Sequence, residues 1–236
     1  MAPTLKRYNG VYSFLIGHKN YMVARSTLLI DLHYLPSLAY FARLFPYSTI
    51  RLEAHESYQK QSYRNRCYIL TSQKVDRLTV PIRKGNSKGP YSTIEIDYSQ
   101  PWEDWHWRAL CAAYSKAPYF EYFAGYFRTI FLRRYVYLFD LNLALLQTCL
   151  QLLQVDKKIE LSEHYEKGNV NNAVDARHSI YPRRRLSEYA YYHPIQYKQV
   201  FGQVFHPNLS IIDLLFCKGH NAYNILNQSH SNVDFQ

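Results

Sequence analysis

The sequence predicts an α/β fold, with a mixed or parallel sheet in the N-terminal half flanked by helices and a helix-rich C-terminal half. Two patterns predict it. Short apolar runs bracket a helical stretch early in the chain, and long segments with apolar residues at three- and four-residue spacing fill much of the second half. The third observation is bulk. The 236 residues are 47% hydrophobic and 19% charged, enough to bury a sizeable core in one domain and to exclude wholesale disorder.

Residues 1–26 show neither helical nor strand periodicity and read as an N-terminal extension without a fold of its own, with Met22 as an alternative start. The run 27–32 is apolar and short, as a buried strand is. His33-Tyr34-Leu35-Pro36 breaks it, and Ser37 is the expected cap of a helix through Phe45. Residues 49–54 alternate as a second strand, and 66–71 with 77–83 read as a hairpin pair. The glycines and proline of 85–90 mark a loop before a further strand at 93–97. Pro101 opens a helix that runs to Ser115 and stops before Ala117-Pro118. Residues 120–134 and 140–153 are amphipathic helices, and 159–162 is a last strand. The polar, Asn- and Arg-rich segment 166–188 reads as a mobile excursion, and a final helix at 209–217 is stopped by Gly219. One α/β domain is thus expected over 27–225, with a C-terminal tail at 226–236. Its first loop lies at the carboxyl end of a strand, where open α/β sheets receive ligands.

Composition narrows the function. Lys plus Arg number 28 against 18 Asp plus Glu, a formal charge of +10 that suits an anionic small molecule such as a nucleotide-sugar. The 24 tyrosines supply apolar area with a hydroxyl tip, which fits a partly wet groove lined by aromatics as well as a core. Nucleic acid is not the expected partner, because no RNP-like or helix-turn-helix pattern accompanies the charge. Cys67, Cys111, Cys149 and Cys217 lie far apart and form no CxxC pair, which argues against a disulfide scaffold or zinc ribbon and for reduced thiols. No apolar run approaches the roughly 20 residues that span a bilayer. The stretch 11–17 lacks a cleavage site, so the cytoplasm is the expected location. GxSxG, GxxxxGK[ST], GxGxxG and HExxH are all absent. Ten histidines include no pair at i, i+3 or i, i+4, so no metal is expected, and no cofactor is indicated.

The densest functional text is residues 55–66. Between Arg51 and Lys88 stand nine Lys or Arg against three acids, and that excess of six is more than half of the chain's +10. Arg offers bidentate donors and Lys a point charge, so Arg64, Arg66 and Lys60 suit phosphate or carboxylate, with Asn65 orienting a polar group. His33, at a strand's carboxyl end before a rigid proline turn, can present its imidazole to a ligand. His106, on the helix after Pro101, has the residue type of a general base. The expected catalytic set is therefore His106, His33 and Lys60. Tyr34, Tyr58, Arg64, Asn65, Arg66, Tyr114 and Lys116 form the expected substrate-binding set. The same pattern also describes a solvated basic face and hydrogen-bonded structural histidines.

Several of these residues stand in an ordered series. It comprises His33-Tyr-Leu-Pro36, Tyr58-Gln-Lys60, Tyr63-Arg-Asn-Arg66, Leu78-Thr-Val-Pro81, Ile96-Asp97, His106-Trp107, Tyr114-Ser-Lys-Ala-Pro118 with Phe120, and Asn208-Leu-Ser-Ile-Ile-Asp-Leu-Leu215 followed by Gly219. The series, from about Leu28 to Ala222, resembles the successive motifs of the WbqC-like proteins. That resemblance implies a cytoplasmic step in making or decorating a precursor of O-antigen-type surface glycans, with acyl or aminoacyl transfer to an amino sugar as the reaction class. Two alternatives stay open. The first strand and the His33 loop are loosely like a HUP-class nucleotidyltransferase, although no HxGH is present. The aromatic run 119–127 could instead serve a non-catalytic scaffold within a glycan-assembly complex.

Overall fold

The computed structural model describes residues 7–8, 11–12, 25–85, 89–168 and 173–231. The expected N-terminal extension lies mostly outside these residues, apart from an antiparallel pairing of β1 (Arg7–Tyr8) with β2 (Val11–Tyr12). The domain is built on a parallel sheet. β3 (Arg25–Asp31) and β4 (Tyr47–Glu53) pair in parallel with α1 (Leu38–Leu44) as their crossover. β7 (Lys158–Leu161) adds beyond β4, and β8 (Val174–Asp175) adds on the other side of β3, giving the order β7-β4-β3-β8. Leu28, Leu29 and Ile30 are all buried, as expected of a central parallel strand.

Side chains alternate between the two faces of a strand, so each register line has its own chemistry. Ile159, Ile50, Leu28 and Val174 align across the sheet on one side. The next line is Glu160, Arg51, Leu29 and Asp175, polar at three of its positions. Chain order runs β3, β4, β7 to one edge and then returns to the opposite side of β3 with β8. The reversal falls between β3 and β8, and a crevice is expected at their carboxyl ends.

The hairpin is β5 (Arg66–Leu70) with β6 (Val75–Thr79), antiparallel with Leu70 opposite Val75. The helical half follows as α2 (Trp102–Tyr114), α3 (Phe120–Leu132) and α4 (Leu138–Leu152), with α5 (Ile211–Lys218) and α6 (Ala222–Ser229) near the end. Four expectations differ from the structure. Residues 93–97 are not a regular strand: after a 3-10 turn, this segment threads between two loops, bonding Pro81 and Arg83 on one side and Val136 on the other. Ser37 occupies the N-cap position of α1 without a capping bond, because Asn208 Oδ1 accepts the Ala39 N–H from across the fold. Helical structure crosses residue 225, since α6 buries Leu226. Of the expected excursion, 169–172 lie outside the described residues, whereas 173–188 is tied to the sheet by β8 and by ion pairs.

Candidate active-site cleft

The site is assembled by the carboxyl ends of β3, β4 and β8. Asp31 is the last residue of β3, and His33 comes two residues later. The turn after His33 carries Leu35 at φ 42, a left-handed conformation unusual for leucine, and it is pinned from outside. Ser210 Oγ donates to the Leu35 carbonyl at 2.9 Å, and Ile211 N–H donates to that of Pro36 at 2.8 Å. Glu53 ends β4 and organises the next turn. Its Oε1 accepts the backbone N–H groups of His55 (2.9 Å) and Glu56 (3.2 Å) and the Ser162 hydroxyl (3.0 Å). Its other oxygen accepts Arg177 at 3.2 Å, which fastens the chain after β8 to β4. Glu56 is thereby aimed back at Asp31.

Between those carboxylates lies Arg64, whose side chain is only 2% exposed. One terminal nitrogen donates to Asp31 at 2.9 Å and to Glu56 at 2.5 Å, and the other donates to the Ser57 carbonyl at 2.9 Å. The guanidinium also sits 5.1 Å from the Tyr91 ring centre. His178 completes the cluster. Its backbone N–H donates to the second oxygen of Asp31 at 2.8 Å, its Nε2 pairs with Glu56, and its Nδ1 lies 3.0 Å from Gln59 Nε2. His178 (φ 56) and Gln61 (φ 59) both carry left-handed backbone beside the cleft. Residues forced into this region cluster at ligand sites, where the surroundings hold them there.

Burial raises Asp31, but Arg64 and the neighbouring histidines pull its carboxyl below the ordinary range. Burial lowers Arg64, and the two carboxylates more than restore its charge. The hydrogen bond that His178 donates to Glu56 raises its imidazole above the usual histidine value despite partial burial. Desolvation lowers His33 to about 4, so its imidazole is neutral at physiological pH. His33 is packed between Tyr40 (4.7 Å) and Tyr63 (5.5 Å), and its buried Nδ1 has no partner. These groups border a cleft of about 210 Å³, lined by Asp31, His33, Gln59, Arg64, His178 and Tyr181. A wider groove of about 570 Å³ runs along the polar sheet side past Arg51, Glu160 and His164. Arg51 is paired with Glu160, and His164 with Glu166. Unlike the smaller cleft, this groove has among its described lining residues no buried side-chain atom left without a partner.

The residues singled out from sequence are therefore dispersed. His33 and Arg64 line the cleft. Lys60 and Lys116 are exposed and line none of the described clefts, although Lys60 directly follows Gln59, which lines the smaller one. His106 does not line that cleft; it is packed on Trp102, with Nδ1 2.8 Å from the Tyr34 hydroxyl and a hydrogen bond to the Thr79 backbone. Desolvation lowers it, too, to about 4. Asn65 donates to the Val80 carbonyl at 2.9 Å, at the open end of the β5–β6 hairpin. Arg66 is half-buried at the start of β5. Tyr58 is buried against Tyr91, and burial raises its hydroxyl to about 12. Tyr114 receives the Leu70 N–H at 3.3 Å and shares Asp213 with Tyr197 and Gln199. Sequence reasoning missed Asp31, Glu53, Glu56, Arg177 and His178. Two signals were available: acids terminating both opening strands, and an Arg-His pair in a segment whose polarity suggested only a loop.

Asp31, Glu56 and His178 bring ligand atoms within 4.8 Å of one another, as a three-ligand cation site would. A cation there would have to displace the Arg64 guanidinium, which already bonds both carboxylates. The thiols offer no nucleophile, because desolvation raises all four, Cys217 to about 12.

The fold and cleft define an open parallel α/β protein with a crevice where its strand order reverses. The chain belongs to the WbqC-like protein family, whose model matches residues 32–186 and 184–225 and so takes in both His33 and His178. It is 27% identical over 223 residues to Rv1507c, an uncharacterized protein of Mycobacterium tuberculosis, covering 84% of this chain and 96% of that relative. No solved structure gives a significant match. Among the described residues, no helix is long and apolar enough to cross a membrane.

Proposed function

We propose that the chain is an enzyme of surface-glycan precursor biosynthesis that transfers an acyl or aminoacyl group to an amino sugar, carried as a nucleotide-sugar. The cleft at the carboxyl ends of β3 and β8 is its active site. The observation that carries this reading is the Glu56–His178 pair on the rim, a carboxylate holding an imidazole that is 41% exposed. Such a pair orients the ring and stabilises the imidazolium that forms when it accepts a proton. In this reading His178 Nδ1, released by Gln59, takes a proton as the sugar amine attacks the carbonyl carbon of an acyl thioester. The C–N bond forms, the C–S bond breaks, and His178 returns its proton to the departing thiolate. Arg64 acts as a positioning residue, bonding Asp31 and Glu56 at once and so fixing the carboxylate that holds His178. The glycan context is what the resemblance to WbqC-like proteins implies, and other glycan-biosynthesis proteins would then be the partners.

The test is incubation of the purified chain with a UDP-linked amino sugar and acyl thioesters, with the product read by mass spectrometry. An acylated sugar that disappears in His178→Asn supports the assignment. Turnover unchanged in that variant removes His178 from the chemistry. Because the pair raises His178, kcat/KM should climb with pH to a plateau whose midpoint lies above the ordinary histidine value of about 6.5. A scaffold reading has one observation in its favour: Tyr122 and Tyr126 of α3 are 72% and 47% exposed, although Phe123 and Phe127 beside them are buried.

A further inference from the structure

We infer that the inner cleft holds the uncharged ring of a monosaccharide, and that any phosphate of the same substrate stays outside at the rim. This rests on the proposed role of the cleft as the functional site. Charge is the first argument. Every ionised group on the inner wall is already matched: Asp31 has one oxygen on Arg64 and the other on the His178 N–H, and Arg64 bonds Asp31, Glu56 and the Ser57 carbonyl. A phosphate entering the cleft would have to break a buried ion pair to find a cation. The group that the wall leaves unmatched is neutral. His33 is 2% exposed with Nδ1 unpartnered, and a buried polar atom in that state calls for a partner, which a neutral hydroxyl or amide entering the adjoining cleft would supply.

Size and shape give the second argument. At about 210 Å³ the cleft falls below the roughly 300–1,000 Å³ of sites for drug-sized ligands, so it accepts one ring rather than a whole nucleotide-sugar. Tyr181, 44% exposed, offers an aromatic face at its edge, and Gln59 adds an amide. Outside, Lys60 is exposed in the turn whose Gln61 accepts Arg183 at 3.4 Å, which places positive charge at the rim. The basic run in the sequence thus meets the anionic end of the substrate, and His33 meets a hydroxyl or amide of its sugar.

Saturation-transfer NMR on the full chain, with N-acetylglucosamine, UDP and UDP-N-acetylglucosamine as probes, tests the division. N-acetylglucosamine should bind alone and UDP should not displace it. Tyr181→Ala and His33→Phe should each weaken it roughly tenfold. Lys60→Ala/Arg183→Ala should leave the monosaccharide unchanged while weakening UDP-N-acetylglucosamine by a similar factor. Because His33 is buried, circular dichroism of His33→Phe accompanies the exposed Tyr181→Ala, which carries the test if the former does not fold. Displacement of the monosaccharide by UDP, or binding of UDP with no saccharide binding, overturns the inference. Monosaccharide binding without acyl transfer keeps this inference and removes the reaction. Acyl transfer with an unaltered KM in Tyr181→Ala keeps the reaction and removes this inference.

Discussion

Arg64 and His33 sit side by side in the same cleft and solve opposite problems. Arg64 carries its charge into the interior, where a lone ion would be strongly disfavoured, and two carboxylates hold it there. Removing the guanidinium leaves Asp31 and Glu56 facing each other, so Arg64→Met should cost about 3–5 kcal/mol in urea denaturation. Arg64→Lys should recover little, because an ammonium cannot serve both acids and the Ser57 carbonyl in one plane. A loss under about 1 kcal/mol for Arg64→Met would mean the network contributes nothing to folding. His33 avoids charge instead. It and His106 are both lowered to about 4, whereas the unfolded chain titrates near 6.5. Between those values the unfolded state binds more protons, so stability should fall as pH drops from about 6.5 towards 4. Denaturation midpoints at pH 7, 5.5 and 4.5 should decline in that order, and less steeply in His106→Gln. The raised His178 works the other way, its stabilisation fading as pH rises through its folded value.

At the scale of elements, β8 shows how a weak strand is kept in place. With two residues it contributes little of its own pairing, and Arg177 anchors the chain beyond it by bonding Glu53, Asp175 and the carbonyls of Glu166 and Gly168. Arg177→Ala should destabilise by about 3 kcal/mol, because it leaves Glu53 buried without its cation. It should also detach His178 from Glu56, visible as loss of His178 protection in hydrogen exchange along 174–180. Gly219 ends α5 at φ 55, and a Cβ there would run into the Tyr119 ring. Gly219→Ala should therefore cost roughly 1–3 kcal/mol from crowding alone, read as a lowered Tm. This stop was legible, as were β3, β4, the β5–β6 hairpin and the three central helices, because apolar periodicity and Gly or Pro punctuation are local signals. β8 and the site it completes were not. A polar segment such as 173–178 becomes ordered only through partners distant in sequence, as in the Arg177–Glu53 pair at a separation of 124 residues, and no local pattern carries that information.

For the whole molecule, net charge and site charge part company. The chain is +10, yet the cleft sets two carboxylates, Asp31 and Glu56, around the Arg64 guanidinium with His178 beside them. Basic residues near 60–66 divide between an interior ion network and an exposed rim, a division that composition could not express. Two histidines with the same depressed titration likewise differ in surroundings, since His106 is satisfied by Tyr34 and Thr79 whereas His33, in the cleft wall, has a buried Nδ1 without a partner. Long-range ¹H–¹⁵N NMR of the imidazoles during titration with UDP-N-acetylglucosamine separates these positions in one experiment. The resonances of His33 and His178 should move together and saturate at the same ligand concentration while those of His106 stay fixed. Movement of His106 alone, or no movement of either cleft histidine on saturation, would contradict the placement of the substrate at the ends of β3 and β8.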